Sequence, residues 1–321
     1  MSPTLLVTSS PHLRAQGSSQ GIMLDVILAL IPALGAATYF FGLTVLLPLT
    51  FAVLGALAGE YGMRVLVLGR DNRLADLSAI VTGLLLGMNL PPSIPLPLAF
   101  LGGAIATAFV KEVFGGLGMN FMNPAMGARV FLFLAWPSLM TSWGPTLDGV
   151  AGATPLAILK DGEAAGQALP DLFHLFIGDR AGSLGETSVL ALLLGAGYLV
   201  LRKVIRLDVP LVYLATVGLI TWTFGNKTAL FAGNFPVHLL SGGLILAAFF
   251  MATDYATQPV SRVGKVIFAA GLGLVTAVIR LYTNYPEGVS FAVILLNCLV
   301  PLIDRYTVPK PFGAPKAAQR A

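Results

Sequence analysis

Charge is scarce in this chain. Only 11% of its 321 residues are Asp, Glu, Lys or Arg, while 56% are hydrophobic. Soluble domains carry roughly a quarter charged residues, so this balance excludes an ordinary water-soluble fold. Cysteine is nearly absent as well. The single thiol, Cys298, lies inside an apolar run, which excludes an iron–sulfur cluster ligated by this chain's cysteines alone. In that setting it reads as a packed core thiol. His12, His174 and His238 are spread over a tail, a loop and a span edge, without zinc or haem spacing. No G-x-G-x-x-G run opens a helix after a strand, so no nicotinamide site of that kind is expected. Residues 1–21 lack the basic start, apolar centre and cleavage site of a secretory signal. They read as a short polar tail, with the first span itself directing insertion.

What the chain has instead is long apolar stretches. They run about 17–22 residues, enough to cross ~30 Å of hydrocarbon as helices. The expected fold is an all-α polytopic membrane protein with about ten spans: 22–42, 44–68, 76–90, 96–110, 124–140, 186–203, 209–225, 237–253, 263–282 and 288–303. The third is short and stops at Pro91-Pro92, where a missing amide and a ring clash end a helix. The fifth is interrupted at Trp136-Pro137. This divides the chain into a tail (1–21), a five-helix unit (22–140), a polar loop (141–185), a second five-helix unit (186–304) and a C-terminal tail (305–321).

Orientation follows from the cations. With a cytoplasmic N-terminus, fifteen of the nineteen Lys and Arg residues fall on the inner side. Only Lys160, Arg180, Lys227 and Arg280 fall outside, a strong positive-inside bias. Both termini are then cytoplasmic and the 141–185 loop faces outward. Topology accounts for the formal charge of +4, and no nucleic-acid partner is implied. The octapeptide Gly102-Gly103-Ala104-Ile105-Ala106-Thr107-Ala108-Phe109 is echoed by Gly242-Gly243-Leu244-Ile245-Leu246-Ala247-Ala248-Phe249. Five spans per half joined by an outer loop would give the second half inverted topology, an arrangement that commonly encloses a midplane site. The small residues also suit close helix packing.

Near the start of the polar loop stands Asp148-Gly149-Val150-Ala151-Gly152-Ala153-Thr154-Pro155. It resembles the D-x-x-(S/T)-G-A-T signature at which a flavin transferase joins FMN to a threonine hydroxyl. Such chemistry needs an accessible hydroxyl; Gly152 and Ala153 leave the approach open, and Pro155 biases Thr154 toward extended backbone. A Thr-Pro pair is also a common helix start, and both readings hold together. Ala151 departs from the signature's Ser or Thr, which implies weaker recognition by the transferase.

Patterns over almost the whole chain resemble the D subunit of the bacterial Rnf electron-transport complex. They include Gly21–Ala33, Asp76–Leu86, Lys111–Asn120, Asn123-Pro124-Ala125, Met251–Tyr255 and Tyr285–Ala292. The related B subunit of the sodium-translocating NADH:quinone reductase shares the architecture but carries a longer N-terminal extension. The resemblance implies a subunit of the bacterial inner membrane that passes electrons within a multi-subunit complex linking ferredoxin and NAD to transport of Na+ or H+. It is not catalytic alone. Its implied partners are the other Rnf subunits, the flavin transferase during maturation and the lipid bilayer. Thr154 would carry covalent FMN, with Asp148, Gly152 and Ala153 as its recognition motif, the cofactor supplying the redox chemistry. A second, non-covalent flavin between the halves is left open.

Ionisable groups within spans are default candidates for ion handling. They are Asp25, Glu60, Arg64, Asp76, Lys111, Glu112, Arg129 and Asp254, with Asp25 and Asp254 foremost. Glu60 and Arg64, spaced i,i+4, would suit a structural pair. The run Gly115-Gly116-Leu117-Gly118 with Asn120 and Asn123 reads equally as a ligand cradle or a tight turn. Two rival readings remain: a channel or secondary transporter with no redox role, and a colourless subunit that anchors redox partners.

Overall fold

The computed structural model describes residues 18–71, 74–143, 154–161, 169–178, 180, 182–226, 229–283, 285 and 288–307. Every regular element among them is helical. Backbone polar groups in hydrocarbon must be satisfied within the segment, and the helix does this. The first unit comprises α1 (Ser19–Phe41), α2 (Leu46–Tyr61), α3 (Ser78–Met88), α4 (Leu96–Ile105), α5 (Pro124–Ala135) and the short α6 (Pro137–Met140). Two short helices, α7 (Pro155–Asp161) and α8 (Leu172–Ile177), follow. The remainder is α9 (Val189–Leu201), α10 (Asp208–Phe224), α11 (Phe235–Leu240), α12 (Leu244–Leu246), α13 (Arg262–Tyr282) and α14 (Val289–Thr307).

Four helices among the described residues are long and apolar enough to cross a bilayer: α1, α2 with its extension, α13 and α14. Shorter apolar helices are α3, α5, α9 and α10. Side-chain caps set several starts. Ser18 Oγ accepts from Gly21 N–H, Asn123 Oδ1 from Met126 N–H and Ser261 Oγ from Gly264 N–H. The break between α5 and α6 falls at Trp136-Pro137, as proline chemistry predicts.

Two departures from the sequence reading are structural findings. The expected eighth span is not continuous: α11 ends at Leu240, and Gly242 and Gly243 take left-handed φ of 65° and 52° before α12 begins. Second, α2, α4 and α12 each run on as a wider π-helical turn, over Gly62–Val67, Ala106–Glu112 and Ala247–Met251. In these turns a backbone amide reaches back five residues, as Val113 N–H does to Ala108 O and Ala252 N–H to Ala247 O. Cys298 also corrects expectation. It is exposed on α14 rather than packed in the core, because apolar surface facing lipid needs no burial in protein.

Close backbone approach holds the helices together. Helix α2 packs on α3 and α4, α10 on α13, α13 on α14, and α1 on α9. A Cβ placed on Gly103 would lie 2.1 Å from Ala52 O, and one on Gly55 would lie 2.0 Å from Phe100 O. At the seam between α1 and α9, a Cβ on Gly195 would lie 1.9 Å from Ala29 O. Contacts this short admit only hydrogen, so glycine is required there.

Gly103→Ala and Gly195→Ala should each destabilise the protein by about 1–3 kcal/mol through overpacking. Gly197→Ala is the control, since nothing lies within 4 Å of its added Cβ. Thermal unfolding in detergent should separate the first two from the third; equal melting points would remove the close-approach argument.

Candidate functional site

Polar chemistry inside the bundle gathers in two places. The first surrounds the Gly242-Gly243 break. Unwinding there frees carbonyls that a helix would have bonded, and Arg280 from α13 collects them. Its Nη1 donates to His238 O at 2.5 Å, and its Nη2 to Ser241 O at 3.0 Å and Gly242 O at 2.7 Å. The planar guanidinium supplies a fixed fan of donors suited to this task. The His238 ring is itself buried, with neither nitrogen hydrogen-bonded among the described residues.

Two more buried guanidiniums lie around the same break. Arg180 Nη1 donates to Ser241 Oγ at 2.9 Å, and Nη2 donates to Glu186 O. Arg129 Nη1 donates to Asn89 Oδ1 at 2.9 Å and Ser290 Oγ at 3.0 Å, joining α5, α3 and α14. A Cβ on Gly243 would approach Glu186 Oε2 at 3.2 Å and Arg129 Nη1 at 3.8 Å. Among the described residues, three cations and one carboxylate therefore gather around a point where the backbone turns left-handed.

Thr154 lies beside this cluster. It is 5% exposed and its Oγ1 accepts from Ala157 N–H at 3.3 Å, which makes it the cap of α7. The next residue but one, Leu156, reaches Gly242: a Cβ there would meet Leu156 Cδ1 at 2.4 Å and Arg280 Nη2 at 3.0 Å. Lys160, one turn further, donates to Tyr285 O at 3.0 Å. The helix-start reading of Thr-Pro is thus realised, and the hydroxyl of Thr154 stands on a helix seated against the arginine cluster. Asp148, Gly152 and Ala153 lie outside the described residues.

The second place is a cavity of about 780 Å³, measured to include its open mouth, at the end of the bundle that carries Gly115–Gly118. Ile22, Met23, Val26, Leu85, Phe249 and Phe250 form its apolar wall. Ser78, Thr82, Lys111, Asn120, Asn123 and Asp254 supply its polar groups. Helices α1, α3 and α5 thereby face the π turn Ala247–Met251 across an amphipathic space.

The expected ion-handling residues are dispersed. Asp25 accepts from Tyr198 OH at 2.8 Å and Arg202 Nε at 3.3 Å, a tie between α1 and α9. Asp254 folds its carboxylate onto its own turn, taking Ala256 N–H at 3.3 Å and Thr257 Oγ1 at 3.1 Å. Glu60 and Arg64 do not pair with each other. The helix widens after Tyr61, so Glu60 meets Lys111 while Arg64 Nη1 meets Glu112 Oε2 at 3.0 Å. The Gly115–Gly118 run is a tight turn. Gly115 N–H bonds Glu112 O and Gly116 N–H bonds Lys111 O, leaving neither for a ligand. Sequence reading missed Arg180, Glu186 and Arg280; the adjacent glycines at 242–243 were the signal that a span would break and need donors.

Arg280→Leu removes the donors of three buried carbonyls and should cost at least about 3 kcal/mol. Arg280→Lys should recover only part, because a compact ammonium cannot reproduce the fan. Unfolding midpoints of the two variants in detergent check this; wild-type stability in Arg280→Leu would refute the clamp.

The sequence pattern of the NQR2, RnfD, RnfE family matches residues 6–313. Among curated relatives, the D subunit of the Na(+)-translocating ferredoxin:NAD(+) oxidoreductase complex of Acetobacterium woodii is 45% identical, covering 99% of this chain and 98% of the relative. The D subunit of the proton-translocating ferredoxin:NAD(+) oxidoreductase complex of Clostridium ljungdahlii is 42% identical, with 96% of each covered. The D subunit of the ion-translocating oxidoreductase complex of Stutzerimonas stutzeri is 40% identical over 93% of each. With a match of this extent, the chain belongs to the NQR2, RnfD, RnfE family.

Proposed function

We propose that this chain is the D-type membrane subunit of an ion-translocating ferredoxin:NAD oxidoreductase complex, carrying covalent FMN on Thr154. The relatives' names and near-complete coverage support the complex. The observation that carries the site is the position of the Thr154 hydroxyl on a helix packed against the Arg280 clamp. A phosphoester there adds negative charge, and Arg280, Arg180 and Arg129 supply positive potential in a region of low dielectric. When bound, FMN supplies one- and two-electron redox chemistry. Thr154 would hold it, and the seat of Leu156 against Gly242 would orient it. Because Thr154 is nearly covered, the flavin transferase would act before α7 settles on α11.

In the same reading, ten spans form two five-helix units of inverted topology, with both termini cytoplasmic and Thr154 on the outer face. Its support is the packing: α2 on α4 in one unit matches α10 on α13 in the other, with α1 and α9 meeting at the seam. The glycine octapeptides give no such support. They fall on the fourth and eighth spans, which cross in the same direction. The cavity walled by Phe249 and Phe250 is the candidate place for a second, non-covalent flavin.

In the test, the chain is expressed with its flavin transferase and denatured in SDS. Yellow-green fluorescence should stay with its band and vanish in Thr154→Ala. A dark parent band, as a transporter or colourless anchor would give, or a fluorescent variant would overturn the site. The sodium- and proton-translocating relatives are similarly distant, so the ion is read from the sodium dependence of transport by the complex in vesicles.

A further inference from the structure

One buried histidine takes no part in the side-chain contacts that build the Gly242-Gly243 break. His238 is 2% exposed, and neither Nδ1 nor Nε2 has a hydrogen-bond partner among the described residues. A neutral imidazole carries one N–H donor and one acceptor nitrogen. Burying both unpaired is costly, and an apolar side chain would fill the same space without that cost. A ring of this kind is suited to a partner from outside the chain.

Geometry indicates which side that partner takes. Successive side chains on a helix point about 100° apart. On α11, Leu239 and Leu240 line a small cavity beside Arg180 and Glu186, and a Cβ on Gly218 of α10 would meet Leu239 Cδ1 at 3.5 Å. His238 does not line that cavity and takes the remaining side, toward α13. The Arg280 charge acts on the imidazole itself, and Arg280 Nη1 donates to His238 O at 2.5 Å. The other end of the same guanidinium shares the space beside Gly242 with Leu156 of α7. Helix α7 also packs on α11 directly. His238 and the helix that carries Thr154 are thus brought to the same side of α11, and Arg280 adjoins both.

On the flavin reading of Thr154, we propose that His238 is a positioning residue, its imidazole hydrogen-bonding the polar edge of the isoalloxazine carried there. The parts of FMN divide by chemistry. Its phosphoester is an anion and suits the guanidiniums of Arg280, Arg180 and Arg129. The isoalloxazine edge alternates ring nitrogens, carbonyl oxygens and an N–H, so it calls for a donor and an acceptor and not for charge. An imidazole supplies both from one small rigid ring. Reduction adds a hydrogen to the flavin nitrogen N5 and turns it from acceptor to donor, so the bond to His238 changes with redox state.

The chain has three histidines, His12, His174 and His238, which makes 15N-histidine spectra simple to read. His12→Gln and His174→Gln assign the other two signals and leave His238 intact. Spectra are recorded on the full chain in lipid nanodiscs, made with and without the flavin transferase. Flavinylation should shift the His238 signals and leave those of His12 in place. Dithionite, giving two electrons per flavin with protons from solvent, should shift them again. His238→Phe should keep its fluorescent band in SDS, since attachment does not use the imidazole, but its visible flavin absorption in the folded protein should move. His238→Gln, whose amide also offers a donor and an acceptor, should recover part of the wild-type position. A dark wild-type band overturns the flavin reading and this assignment with it. A fluorescent band with His238 signals unmoved by flavinylation and reduction overturns the assignment alone, as does wild-type absorption in His238→Phe.

Discussion

Everything at the Thr154 end depends on one guanidinium satisfying a helix that has come undone. Buried carbonyls freed by a broken helix need donors, and at the break between α11 and α12 Arg280 reaches three of them. The clamp then determines its surroundings. Gly242 must lack a side chain because Leu156 and Arg280 share the space beside it. Leu156 seats α7, and α7 carries Thr154 at its cap. Arg180 and Arg129 tie the same region to α3, α5 and α14.

The two polar regions are built differently. Around the break, buried guanidiniums are held by backbone carbonyls, serine hydroxyls and the Asn89 amide oxygen. Around Glu60, buried carboxylates are held by Lys111 and Arg64. Buried charge is tolerated in proteins when it is paired and hydrogen-bonded in this way.

Much of the architecture was legible in the residues. Apolar run lengths gave helical spans, and proline gave the stops at Pro91 and Pro137. The Thr154-Pro155 pair marked the start of α7. What escaped was cooperative. A π turn follows from tertiary packing, not from local propensity, and it re-paired Glu60 with Lys111 in place of Arg64. Arg280 read as an outer-edge cation because charge counting sees only loop sides. Its partners are backbone carbonyls more than thirty residues away, which carry no sequence signal.

The seam between α1 and α9 sets a mechanical limit. Gly195 rests against the Ala29 carbonyl, and Asp25 bridges to Tyr198 and Arg202 at one end of the same contact. Two helices in backbone contact and pinned at one end cannot slide without first separating. In the proposed function, such a seam would keep the sites within the chain at fixed spacing, which electron transfer by tunnelling requires.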